Sequence, residues 1–228
     1  MVDFVDLTHT FRDGMPGFRV STGDGTTTEL TATIQPFLTH EETHPLFDGR
    51  CSFEITEMHF QTSVGTYLDS PAHRFAGRRD IGDIDLSEVV NEGVVVDVTG
   101  RGPYERVGNE VIPDEVDLDG KAVLFNFGWD QYWGTEAYRE YPFIGADLVD
   151  HLLAEDVALV GVDTINVDDD RNPDRPAHTK LLQRDVFVVE NLCRLDEIPD
   201  EPFRFFAIPI KADGVVAMPV RAFAEVAD

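Results

Sequence analysis

The sequence predicts a single α/β domain over residues 1–228, with a mixed β-sheet or barrel-like core and flanking helices. Three observations carry that expectation. Short β-forming apolar runs recur along the chain and are interleaved with few helical patterns. The 228 residues, 42% of them hydrophobic, suffice for one substantial core. No Gly/Ser linker, low-complexity tract or fixed-period repeat divides the chain.

The elements follow in order. Residues 2–8 read as a strand ending in Asp6-Leu7-Thr8-His9, and Gly14, Pro16, Gly17, Gly23 and Gly25 mark a turn-rich stretch after it. Thr26 to Ile34 is rich in β-formers and reads as one strand, His40 to Arg50 as a loop. In Cys51 to Ser63, Phe53, Ile55 and Glu57 oppose Ser52, Glu54 and Thr56, the alternation of a strand. Strands are also expected at 93–98, 121–127, 157–162, 187–190 and 205–210. Ala146 to Glu155 places Leu148, Val149, Leu152 and Leu153 on one helical face, and Thr179 to Arg184 suggests a short second helix. Strand order is not readable at this level.

The chain carries 44 Asp+Glu against 18 Lys+Arg, a net charge of −26, and its only lysines are Lys121, Lys180 and Lys211. Such a field repels nucleic acid and anionic membranes. It also opposes compaction unless salt screens it, over about 8 Å at 0.15 M and about 3 Å at 1 M. An acidic, Lys-poor surface therefore suggests the high-salt cytoplasm of a halophilic organism. Apolar runs such as Val94-Val95-Val96 and Val186-Phe187-Val188-Val189, interspersed among the acids, argue against disorder. Cys51 and Cys193 lack metal-type spacing and read as small apolar residues rather than a disulfide. The N-terminal stretch lacks a basic leader, and no segment approaches the roughly 20 apolar residues of a membrane span.

Two segments carry chemistry. The first is Ser63-Val64-Gly65-Thr66-Tyr67-Leu68-Asp69-Ser70-Pro71-Ala72-His73, at the end of an expected strand. Gly65 permits a sharp turn, Pro71 stiffens the exit, and Asp69 and His73 between them offer an oxygen ligand or base and a nitrogen ligand or proton shuttle. Their i, i+4 spacing fits one helical face, a tight turn, or ordinary surface turn chemistry. The second is Ala177-His178-Thr179-Lys180-Leu181-Leu182, followed by Val188-Val189-Glu190-Asn191-Leu192. Glu190 ends an apolar strand: buried there it needs a partner, which a metal ion would supply, and exposed there it needs none.

Together these pieces resemble the cyclase family of metal-dependent hydrolases, the relatives of kynurenine formamidase and isatin hydrolase. The first resembles the signature His-x-Gly-Thr-His-x-Asp-x-Pro-x-His, the second the family's His-x-x-Leu-Leu and Glu-Asn-Leu pieces. The resemblance runs nearly end to end. Asp6-Leu7-Thr8-His9 with Gly14-Met15-Pro16 is similar to the family's opening, and Gly128-Trp129-Asp130 with Tyr132-Trp133-Gly134 to its central aromatic stretch. Gly161-Val162-Asp163, Leu195-Asp196-Glu197-Ile198-Pro199 and Asp213-Gly214 with Met218-Pro219-Val220-Arg221-Ala222 match later pieces in order.

The resemblance implies a swivelling β/β/α fold and hydrolysis of an amide bond in a small substrate, such as an aryl formamide or cyclic amide. It implies Asp69, His178 and Glu190 as metal ligands, His73 as general acid/base, and a homodimer or homotetramer. Two signature histidines are replaced, by Ser63 and Tyr67, both metal-ligand positions in typical members. The remaining donors suffice for one divalent ion, Mn2+ or Zn2+, and their oxygen-rich chemistry raises manganese or magnesium relative to zinc. A metal-free relative that binds a small ligand or has changed chemistry is the alternative. His59 is expected roughly 13 Å from position 63 along an extended strand, too far to substitute. His9, His40 and His44 stay open as pocket residues, and Trp129, Tyr132, Trp133 and Tyr138 divide between core packing and a flat-substrate pocket.

Overall fold

Apolar runs become strands wherever a pairing partner exists. The computed structural model describes residues 2–113 and 115–227, so Met1, Asp114 and Asp228 lie outside it. In chain order the first strands are β1 (Val2–Asp6), β2 (Arg19–Ser21), β3 (Thr27–Glu29), β4 (Ala32–Leu38) and β5 (Ile55–Phe60). Next come β6 (Tyr67–Asp69), β7 (Val90–Asp97), β8 (Arg106–Val107), β9 (Ala122–Asn126) and β10 (Phe143–Ile144). The last are β11 (Leu159–Val162), β12 (Phe187–Glu190), β13 (Phe203–Phe206), β14 (Ala217–Pro219) and β15 (Phe223–Ala227). The α-helices are α1 (His40–Thr43), α2 (Pro71–Arg74), α3 (Ala146–Ala154) and α4 (Pro176–Gln183).

Nine strands form one mixed sheet in the order β1-β15-β13-β7-β9-β11-β12-β6-β14. The centre, β7-β9-β11-β12, is parallel, and the flanking pairs are antiparallel. Buried parallel strands carry continuous apolar runs because both faces are covered. In β9, Val123 and Phe125 face one core layer while Ala122 and Leu124 face the other. The first layer includes Leu148, Val149 and Leu152 of α3 and Ala177, Leu181 and Leu182 of α4, so both helices cover that face. The second contains Leu7, Leu68, Phe187 and Phe205. The expected α/β class with a mixed sheet is what forms.

The single strand expected over Thr26–Ile34 is instead β3 and β4, because its halves pair differently: β3 with β2, and β4 with β5. At the break, Leu30 N donates to Phe18 O and Thr31 N to the Gln61 side chain. Part of the expected loop at His40–Arg50 is helical: α1, closed by a Thr39–Glu42 capping box, then a 3-10 turn over His44–Phe47. The second expected helix begins earlier, at Pro176, since proline suits the first helical position, where its missing N–H costs nothing. Cys51 and Cys193 are both free, and Cys51 is exposed rather than packed. Among the described residues no helix is long and apolar enough to cross a membrane.

Candidate functional site

Strand alternation decides which side chains reach the helix-covered face. Val188 of β12 packs in that layer, and two residues on, Glu190 points the same way. Strand β6 runs antiparallel beside it, with Asp69 opposite Val188 and Tyr67 opposite Glu190. Leu68, between them, goes to the other layer. Gly65, at φ +71°, makes the turn that feeds β6. Pro71 opens α2, which carries His73 just past the strand end. Helix α4 brings His178 over the same place.

Asp69 is fully buried, and neither of its carboxylate oxygens has a hydrogen-bond partner. His73 Nδ1 lies 3.4 Å from Asp69 Oδ1, and His178 Nε2 lies 3.5 Å from Oδ2. His178 Nε2 is also 3.4 Å from Glu190 Oε1. One ligand atom from each of Asp69, His73 and His178 falls within 4.8 Å of the others. Donors about 2.1 Å from one tetrahedral ion stand roughly 3.4 Å apart, so this spacing is that of co-ligands. A buried carboxylate with no donor beside it needs a cation. The residues present therefore fit a divalent ion.

Asp168 supports the cluster from behind. It accepts the His178 Nδ1 proton at 2.7 Å and the backbone N–H groups of Ala177 and His178 at 2.7 and 3.0 Å. That assigns the Asp168 bond to Nδ1 and turns Nε2 toward Asp69 and Glu190, where a bound cation would take the place of its proton. Burial acts to lower the His178 pKa, but the charges of Glu190, Asp168 and Asp69 overcome it and raise it to about 10. Burial, and the nearby Asp69 charge, push Glu190 up to about 7 against the opposing pull of His178. The site demands positive charge.

Tyr67, which stands at a signature histidine, is buried and donates its hydroxyl to Glu190 Oε2. Val167 N donates to Glu190 Oε1 at 2.7 Å. Burial, then the charges of Glu190 and Asp69, hold the phenol well above its ordinary pKa, so Tyr67 is a neutral donor. Ser63, Tyr67, His73 and His178 line one cavity of about 260 Å3, together with Phe18, Val20, Leu30, Arg74, Asn166 and Arg175. A wider groove of about 980 Å3, along Gly93, Phe203 and Pro199, is lined by no histidine.

The structure thus brings together Asp69, His73, His178 and Glu190, with Ser63 and Tyr67 beside them. Asp69 is not surface turn chemistry and Glu190 is not an exposed strand end, since both are inaccessible to solvent. The other histidines lie elsewhere. His9 stacks on Trp133 at 3.9 Å and lines a separate cavity of about 540 Å3. His59 pairs with Glu57 on exposed β5, and His40 contacts Ser52. Of the aromatics, Trp129 and Tyr138 are buried in the core, Tyr132 and Trp133 pack against it, and none lines the 260 Å3 cavity. Sequence reasoning missed Asp168, Asn166, Arg74, Arg175 and Phe18. Asp168 sits in an Asp-Asp-Asp run in which no member stands out, and Phe18 lies far from either motif.

The sequence profile of the Cyclase family, described as "Putative cyclase", matches residues 5–169. The kynurenine formamidase of Salinibacter ruber is 31% identical over 183 residues, covering 77% of this chain and 81% of its own. That of Paracidovorax citrulli is 28% identical over 182 residues, covering 76% and 80%. An isatin hydrolase bound to the product analogue thioisatinate superposes with a TM-score of 0.87 at 22% identity, over 100% of this chain and 93% of its own, which shows a shared fold.

Proposed function

The chain belongs to the Cyclase family, and on that footing we propose that it is a metal-dependent hydrolase cleaving the amide bond of a small substrate, as an arylformamidase does. The observation that carries this reading is the buried Asp69 carboxylate, without a hydrogen-bond donor, between two imidazole nitrogens. Asp69 and His178, with Glu190 beside His178, would hold the ion, manganese or zinc, and His73, within reach of Asp69, would border it. When bound, a divalent ion supplies Lewis acidity and water activation.

The chain's own groups do the rest. Asp168 keeps His178 in the tautomer that turns Nε2 inward. Tyr67 and Val167 N hold the Glu190 carboxylate from two sides, restricting it to one orientation. His73 turns Nδ1 toward Asp69, which leaves Nε2 to carry a proton to the departing nitrogen. Its side chain is 33% exposed while those of His178 and Asp69 are nearly or wholly buried, as suits a group that exchanges protons. Phe18, Val20 and Leu30 offer the cavity an apolar wall for an aryl group.

The test is elemental analysis of the protein purified at high salt without added metal, beside Asp69→Asn, with formate release from an aryl formamide followed in both. About one equivalent of manganese or zinc, lost with activity in the variant, is the expected result. Protein that takes up no Mn2+ or Zn2+ under any loading, in either form, sinks this reading and leaves a metal-free ligand-binding relative.

A further inference from the structure

We propose that Arg74 and Arg175 form a carboxylate-binding subsite on the wall of the Asp69–His73–His178 cavity, so that the substrate is a small anionic aryl amide. This rests on the hydrolase reading and names the substrate class that reading leaves open.

In a chain with 44 acidic residues a guanidinium readily finds a carboxylate. Neighbours of these two do: Arg78 pairs with Asp185 at 2.9 Å, Arg79 with Glu88 at 2.5 Å, and Arg171 with Asp169 at 2.7 Å. Among the described residues, Arg74 and Arg175 instead bond only neutral acceptors. Arg74 donates to Thr179 Oγ1 at 3.1 Å and Asp174 O at 3.4 Å. Arg175 donates to Asn166 Oδ1 at 3.1 Å and Asp170 O at 3.3 Å. Those bonds orient each planar fork while leaving more than half of its N–H donors available. Two oriented guanidiniums with no carboxylate in ion-pair contact among the described residues, on residues lining one cavity, are a receptor for a carboxylate.

Three further observations point the same way. The Arg175 guanidinium lies 5.9 Å from the Phe18 ring centroid, so charge and aryl-binding wall are joined. The net charge of −26 repels anions, and a local positive lining offsets that repulsion. A volume of about 260 Å3 suits a single-ring acid.

The experiment compares 2-formamidobenzoate with formanilide by kcat/KM, and benzoate with benzamide by calorimetry. It uses the protein as purified, Arg175→Gln, Arg175→Lys and Arg74→Gln, with metal content measured for each. The expected result is a preference for the carboxylate member of each pair that falls about tenfold or more in Arg175→Gln and Arg74→Gln at unchanged metal content. Arg175→Lys, which keeps the charge and loses the fork, retains part of the preference. Equal handling of charged and neutral members by the native protein overturns the subsite, as does a preference that neither arginine alters. Arginine-dependent benzoate binding without turnover of either formamide sustains the subsite and removes the hydrolase reading, so the two fail separately.

Discussion

Asp168 shows how a single side chain sets up a site it does not line. It satisfies two N–H groups at the start of α4 and the Nδ1 proton of His178, so one carboxylate fixes both the helix and the imaging of its ligand nitrogen. Asp168→Asn is expected to lower metal affinity by about 10–100-fold, read by competition with a chelator, with a smaller effect on folding. His9 makes a separate prediction. Burial, then the charge of Arg12, lowers its pKa from 6.5 to about 4, and its Nε2 has no hydrogen-bond partner. The folded state keeps His9 neutral while the unfolded chain takes up a proton below about 6.5. Its contribution is therefore present above that pH and lost as pH falls toward 4, by up to about 3 kcal/mol. Denaturant titrations of the native protein and His9→Gln across that window should show a shallower acid loss in the variant. The donors Asp69, His178 and Glu190 were readable in the motifs, since residue type is local, while Asp168 was not. The satisfaction of each donor was not: nothing beside Tyr67 in the chain announces that its hydroxyl meets Glu190.

At the scale of elements, the site depends on the register of β6 against β12. Pairing Tyr67 with Glu190 and Asp69 with Val188 puts both polar side chains of β6 on the face that α4 covers, and a slip of one residue would expose Leu68 there instead. Tyr67→Phe leaves Glu190 Oε2 buried without its donor and is expected to cost about 1–3 kcal/mol, measured by denaturant unfolding. Gly65 protects the same register from upstream. Its positive φ disfavours any side chain, and an added Cβ would stand 2.9 Å from Met15 Cε. Gly65→Ala is expected to destabilise the fold by about 1–3 kcal/mol, with loss of metal binding if β6 shifts. Strand β12 was legible to the residue because a buried run bounded by Asp185 and Asn191 admits little else. The split of Thr26–Ile34 into β3 and β4 was not, since it reflects which partner each half meets.

The whole molecule carries its charge as a distributed repulsion. With net charge −26, much of the native state's electrostatic cost is long-ranged and screenable. The melting temperature is expected to rise as KCl goes from about 0.15 M to about 1 M, where the screening length shortens from about 8 to about 3 Å. A flat or falling dependence would show that local pairs such as Arg139–Glu29 and Arg79–Glu88 already neutralise the surface. Composition, strand-forming runs, the donor residues and the family resemblance were all determined by the sequence alone, because each is a local property of residue type, periodicity or order. Tertiary structure decided that β6 lies between β12 and β14, that Asp69 is buried without a hydrogen-bond partner among the described residues, that Asp168 backs His178, and that two arginines bonded, among the described residues, to neutral acceptors share the cavity. Each of these joins segments distant in the chain, and strand order, register and burial arise only when the whole sheet closes over its core.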